Sequence, residues 1–320
     1  MVEHTVAATN AIVTLDVPIP QVIWGWMITL NMWAKSIGTG VVFVGAYLLA
    51  RHNKEVGESV KFWMPIISFI FLNIFLLFTL LDLHQPFRMW HIFFYPHWTS
   101  AITVGAWMAT VFTGIIFVMT LIAVKKFVEK HKEKVPHFCR QITELKFLND
   151  ALYDKLLKAA VVLAIPVTMY TATIMGEATA RELWQTPTEL VQMLLAAILT
   201  GSATFLIIGQ KWSYEVKRDL AIMLGLSAFL SFVIYMGEYY FGHMKAEEVA
   251  AILQYVKDGP YAAMFWAGQW IAFIIPMALV YFSLKSRSSS LLLLASVSAI
   301  IGLYITKHVW LIIPQLLPLS

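Results

Sequence analysis

The sequence predicts an all-α integral membrane protein of about eight spanning helices, with both termini on the non-cytoplasmic side. Three observations predict it. Of 320 residues, 59% are hydrophobic and 13% charged, with a mean hydropathy of +0.72; an ordinary globular domain carries about 25% charged residues. Eight apolar stretches reach the length of about 20 residues that a helix needs to cross the hydrocarbon core. The basic residues concentrate in alternate connections between those stretches.

The stretches run over about 22–50, 60–82, 98–124, 156–177, 188–208, 218–240, 262–285 and 290–312. The first opens on Trp24 and Trp26 and carries Asn31 and Lys35. The second ends at Asp82, the fourth at Glu177, the sixth at Glu238, and the eighth carries Lys307 and His308. Seventeen of the twenty-three Lys and Arg fall in one set of connections, around 51–61, 125–158, 211–218 and 285–287. The other set holds Arg88, Arg181, Lys245 and Lys257. Lys and Arg resist translocation, so the rich set is assigned to the cytoplasm. Loops 83–97, 178–187 and 241–261 then lie outside with both termini. The long cytoplasmic connection 125–155 mixes Lys with Glu129, Glu133, Glu144 and Asp154, and reads as an amphipathic surface helix or a loop. No basic n-region precedes an apolar core before Pro20, so the first span is expected to act as its own insertion signal.

Several function classes are excluded. The single cysteine, Cys139, is incompatible with a disulfide framework or an iron–sulfur cluster held by this chain. Of nine histidines, His308 alone falls inside a predicted span, so paired axial ligands for a haem are missing. No H-E-x-x-H helix, P-loop or G-x-S-x-G elbow occurs. The formal charge of +4 sits in short loops between apolar runs and reads as topology, not as nucleic-acid affinity.

Ionisable residues within spans are expensive and mark candidate sites. Lys35 lies near the middle of the first span, where a charge costs about 2.5–3.5 kcal/mol on insertion scales. Its functional reading is a proton-relay or quinone contact; the structural one is a paired or neutral lysine used for packing. Asp82, Glu177, Glu238, Lys307 and His308 share the outer depth, and Tyr170 lies about two turns further in. Each alone is compatible with an interfacial anchor. Aromatic residues are in surplus on that side: Trp24 and Trp26, Trp90 to Trp98, Trp184, and Tyr239 to Phe241.

Several segments resemble the NrfD-like family of membrane subunits, of which that of polysulfide reductase is the best known. Leu81-Asp82-Leu83-His84-Gln85-Pro86-Phe87-Arg88-Met89-Trp90 is similar to the family's L-D-L-G-R-P-x-R-x-W stretch, followed by Gly105-Ala106-Trp107. Trp24-Gly25-Trp26 with Gly38 and Gly40 resembles its first span. Tyr170-Thr171 with Leu183-Trp184-Gln185-Thr186-Pro187, and Gly259-Pro260-Tyr261 through Phe265-Trp266 and Pro276, are similar to later segments. The resemblance implies two four-helix bundles that anchor an extracytoplasmic iron–sulfur subunit and a molybdopterin catalytic subunit. It further implies electron exchange with menaquinone near the outer surface, with no cofactor metal in this chain. Asp82, Tyr170, Glu238 and Lys307 would then match the family's proton-handling and quinone positions; His308, Lys35, Asn31 and His84 are further candidate quinone contacts of this sequence, outside the matched pattern. Arg88, Arg181 and the segment 242–260 would face the partner. Three departures stand out: His84-Gln85 replaces Gly-Arg, Lys307 stands where Arg is common, and Asn31 and Lys35 lie where the first span is often apolar. Arg grips a carbonyl or carboxylate through a planar fork, whereas Lys is a point charge.

The implied substrate of the complex is polysulfide or another sulfur compound such as thiosulfate or tetrathionate. A secondary transporter or proton-conducting subunit is the rival class, motivated by Lys35, Lys307 and the small residues Gly38, Gly40 and Gly201. It predicts unwound helices at the midplane. An electron-silent anchor would purify with partners but without quinone.

Overall fold

The computed structural model describes residues 22–83, 85–131, 133, 136, 140–179 and 181–317. Eight helices are long and apolar enough to cross a membrane: α1 (Trp26–Arg51), α2 (Asn53–Asp82), α3 (Ala101–Lys130), α4 (Asp150–Glu177), α5 (Thr186–Ile208), α6 (Tyr214–Phe241), α7 (Ala262–Ser286) and α8 (Ser289–Ile312). The protein is a multi-pass membrane protein.

Several helices run past the apolar stretches at the lysine-rich end. α2 begins at Asn53, α3 continues to Lys130, and α4 starts at Asp150. Ion pairs carry these turns beyond the hydrocarbon. Lys61 meets Asp154 at 3.1 Å, and Lys126 pairs with Asp150. The two ends of the 125–155 connection are absorbed into α3 and α4, and a short 3-10 turn at Gln141–Glu144 lies between them. Lys125 draws that turn back by donating to the carbonyls of Leu145 and Leu148 at 3.0 and 2.9 Å.

α1 and α5 form the centre: 72% and 67% of their apolar windows are buried, against 28–39% for the other six. Small residues explain why. A methyl on Gly40 would fall 2.0 Å from the Ala197 carbonyl oxygen, and one on Gly201 would fall 2.2 Å from that of Gly40. The two backbones touch, as small residues permit in membranes. Around this contact α1 packs on α2, α2 on α3, α3 on α4, and α4 returns to α1. The helices α5, α6, α7 and α8 make a second closed ring.

The two rings repeat one another in detail. Asn31-Met32 precedes Thr39-Gly40 in α1 with the spacing at which Gln192-Met193 precedes Thr200-Gly201 in α5. Asn31 Nδ2 donates to the Phe75 carbonyl of α2 at 3.1 Å, and Gln192 Nε2 donates to the Ser231 carbonyl of α6 at 3.2 Å. Asp82 and Glu238 each lie seven residues beyond those acceptors.

Prolines inside the spans leave backbone acceptors that neighbouring helices satisfy, as a low-dielectric core requires. Pro65 cannot donate to the Lys61 carbonyl, and the Tyr153 hydroxyl of α4 donates there instead at 3.1 Å. In α7 a π-helical turn spans Trp270–Ile274, and in that register Pro276 leaves the Ile271 carbonyl without a donor. Ser298 of α8 supplies one at 2.6 Å.

Between α6 and α7 the helix Glu247–Lys257 lays Val249, Ile252, Leu253 and Val256 onto the protein. That spacing is one apolar helical face. The segment expected to face a partner is thus docked on its own protein along that stripe. At the lysine-rich end Asp219 of α6 accepts from Tyr47 and His52 at 3.0 Å and from Arg51 at 3.3 Å, tying the α1–α2 turn to the second ring.

Candidate intramembrane site

A cavity of about 520 Å³ lies between α1, α2, α3 and α4 near the aromatic-rich end. Its volume falls within the range of small-molecule sites, and its walls have the usual make-up of many apolar side chains with few polar groups. The polar ones include Asn31, Thr79, Asp82, Tyr170 and Thr171; Ile28, Met32, Phe75 and Met175 are among the apolar ones.

Local sequence explains each placement. Asn31 uses both amide protons on α2, donating to the Phe75 carbonyl and to Thr79 Oγ1 at 2.5 Å, so it offers the cavity an acceptor. Asp82 is the last residue of α2, where the helix dipole opposes a carboxylate; its position there needs a reason other than helix stability. The Tyr170 ring sits against α3 at Gly105, where a methyl would be 2.4 Å from the ring. Gly105 therefore makes room for Tyr170. Phe75 packs edge-on to the same ring with centroids 6.4 Å apart.

Lys35 lies behind this wall, fully buried. Its ammonium donates to Thr171 Oγ1 and stands 4.5 Å from the centre of the Tyr170 ring.

Glu238 and Lys307 belong to another polar cluster, inside the second ring. Glu238 pairs with Lys245 at 2.6 and 2.8 Å. Its partner is thus Lys245 of the connection 241–261. Lys307 Nζ lies 3.4 Å from the Met193 sulfur and within electrostatic reach of Glu189. Glu189 in turn accepts from Trp310 Nε1 at 2.9 Å. Neither Glu238 nor Lys307 lines the cavity. His308 lies between the two groups, sharing a hydrogen bond of 3.0 Å with Thr29 and stacking on Tyr304.

Arg181 does not simply face outward. Its guanidinium holds the carbonyls of Pro314 and of Leu317, the latter at 2.8 Å. Partial burial lowers its pKa from the ordinary value, while Glu248 opposes that shift. Arg88 is exposed in the turn Pro86–Arg88, and Glu177 is exposed at the end of α4. His84 lies outside the described residues.

Sequence reading passed over three residues. Glu189 looked like a first-turn carboxylate of α5, favourable to the helix dipole; Gln192 one turn on was the hint of a polar interior. Lys245 looked like a loop cation. Gln315 lies past the last span, yet it accepts from the Ile23 and Trp24 backbone at 3.0 and 2.9 Å and donates to the Trp24 carbonyl at 3.0 Å. It thereby fixes Trp24, which stacks on Trp184 at 5.3 Å and forms part of the cavity wall.

Eight apolar spanning helices, four of which border a mainly apolar cavity with a few hydrogen-bonding groups, define a membrane protein of a particular kind. Residues 18–318 match the model of the family described as polysulphide reductase, NrfD, and the protein belongs to that family. It is also similar to the C subunit of polysulfide reductase from Wolinella succinogenes, at 23% identity over 259 residues that cover 77% of this sequence and 79% of that protein.

Proposed function

We propose that this protein is the quinone-reactive membrane subunit of a respiratory reductase, and that the cavity bounded by Asn31, Asp82 and Tyr170 is its quinone site. The observation that carries the reading is that cavity: three sequence-selected polar residues from three helices converge in an apolar pocket, with a buried lysine behind them. The NrfD family membership and the likeness to the polysulfide reductase C subunit support it.

A quinol supplies two electrons and two protons when oxidised. In this reading Asn31 accepts a hydrogen bond from a ring hydroxyl and Tyr170 orients the ring. Asp82, at the mouth of the cavity beside the loop 85–100, takes up and passes on protons. Lys35 sets the local potential through Thr171 and Tyr170. Glu238 and Lys307 act apart from the ring, within the second polar cluster.

The larger setting follows the same reading. The protein sits in the cytoplasmic membrane as two four-helix bundles, with the lysine-rich end in the cytoplasm and both termini outside. Menaquinol is the donor class. An extracytoplasmic iron–sulfur subunit and a molybdopterin subunit complete the complex, and polysulfide or a related sulfur compound is the acceptor.

The test is the quinone content of the complex purified in mild detergent, measured beside iron and molybdenum. Quinone, iron and molybdenum together are expected. Ala106→Phe, which fills the cavity from α3, is expected to remove the quinone and leave the metals. Wild-type complex without quinone, or an Ala106→Phe variant that retains it, would overturn the assignment.

A further inference from the structure

The connection from residue 83 to residue 100 contains no Asp or Glu, and it carries Arg88, His91 and His97 among six aromatic residues. It forms the turn Pro86–Arg88 and one helical turn at His91–Phe94. The two sides differ sharply. Ile92 and Phe93 face inward and, with the partly exposed Met89, close the end of the cavity, with Phe93 against Trp107 of α3 at 5.5 Å. Phe87, Phe94, Tyr95 and Trp98 face outward and are 92%, 74%, 73% and 61% exposed. Four large aromatic side chains in so short a span are an apolar patch that needs a covering phase.

The cavity also reaches the outer surface of the helices. Leu77 of α2 and Ile102 of α3 both line it and are both about half exposed. Deeper in the membrane α2 and α3 close on one another, through Phe69 and Phe117 at 5.4 Å and through Thr120, which donates to the Pro65 carbonyl at 3.0 Å. The gap between them therefore lies only in the half nearest the 83–100 connection, beside lipid.

We propose that residues 85–98 lie in the headgroup layer of the bilayer, bound to anionic phospholipid, and roof a lateral portal between α2 and α3 through which an apolar-tailed ligand reaches the cavity. The lipid surface is the occupant favoured by continuity, because the patch joins the lipid-facing flanks of α2 and α3 directly. Aromatic rings with an apolar body and a polar edge suit that layer. Charge agrees: one arginine and no carboxylate match a negative surface. The ligand class rests on the quinone reading given above, whereas the lipid attachment stands without it.

The experiment uses the purified complex in nanodiscs. Phe94 and Trp98 are replaced one at a time by a genetically encoded fluorescent amino acid. Quenching is read from lipids brominated near the headgroup and from aqueous iodide, with phosphatidylglycerol or phosphatidylcholine as the bulk lipid. Expected is strong quenching by brominated lipid, stronger with phosphatidylglycerol, and protection from iodide. Iodide quenching without lipid quenching would overturn the proposal by placing the segment in water. Protection from both would overturn it by placing a protein partner on the patch. For the portal, Leu81→Trp, on the exposed face of α2 one turn beyond Leu77 and outside the cavity wall, is expected to slow association of a tailed menaquinone about tenfold, as gating of an entry path does, and to leave tail-less 2-methylnaphthoquinone unchanged. Equal rates for both ligands in wild type and variant would sink the portal. Failure of both ligands to bind wild-type complex would sink the quinone reading and leave the lipid result standing.

Discussion

Lys35 shows how one residue brings both a cost and a use. Its ammonium is fully buried and is held by the Thr171 hydroxyl and the Tyr170 ring. Removing only the hydroxyl, by Thr171→Val, leaves the cation short of a partner, and about 1–3 kcal/mol of stability is expected to be lost. An unchanged thermal midpoint in detergent would mean that other groups hold the charge. Lys35→Met removes the charge at similar volume, so stability is expected to hold or rise, while quinol-linked turnover falls at least about tenfold, roughly 1.4 kcal/mol of barrier. The two acidic candidates separate in the same way. Asp82→Asn is expected to abolish quinol oxidation, since Asp82 lines the cavity. Glu238→Gln breaks the pair with Lys245 and is expected to leave quinone affinity unchanged. Equal loss of quinone binding in both would mean that the two polar clusters act as one site. Asp82, Tyr170 and Asn31 were legible in the sequence because polar groups in apolar runs stand out. Glu189 and Gln315 were not, because a carboxylate or amide at a helix end has an ordinary explanation there.

At the scale of elements, the helices meet where side chains are missing or where a backbone acceptor needs a donor. Gly40 and Gly201 allow α1 and α5 to touch through their backbones. Gly40→Ala forces them apart, and a loss of several degrees in the thermal midpoint is expected, of the order of the 1–3 kcal/mol that overpacking costs. No change on substitution would contradict the contact. Gly105→Ala puts a methyl into the Tyr170 ring and is expected to weaken quinone binding with little effect on assembly, measured as quinone per molybdenum. Apolar length and the Lys and Arg pattern identified the eight helices, but not where they stop. Ion pairs such as Lys130–Glu58 and Lys126–Asp150 join the helix ends beyond the hydrocarbon-length windows, and such pairs form between helix ends that no local pattern brings together. The helix Glu247–Lys257 had the apolar spacing of a docked element. That spacing does not say which surface receives the apolar face, because segments distant in sequence supply it.

Over the whole molecule, two rings of four helices share a hydrogen-bond pattern, with Asn31 and Gln192 as counterparts and Asp82 and Glu238 as counterparts. The first ring opens into a cavity. In the second, the corresponding interior holds Glu189, Lys307, Tyr235 and Trp310, with Trp310 stacked edge-on to Tyr235 at 5.1 Å. The proposed orientation has its own check: a cysteine placed at Gln85 is expected to react with a membrane-impermeant maleimide in right-side-out vesicles, and one placed at Ser213 only after permeabilisation. The reverse pattern would invert the topology. The sequence by itself determined the helical membrane class, the eight apolar stretches and a short set of polar candidates. Hydropathy and charge are summed along the sequence and need no knowledge of neighbours. Tertiary structure alone decided which candidates share a cavity, that Glu238 meets Lys245, that Arg181 turns to the carbonyls of Pro314 and Leu317, and that the cavity wall includes the half-exposed Leu77 and Ile102. Each of these depends on helix rotation and crossing, which packing between distant segments sets and no local pattern encodes.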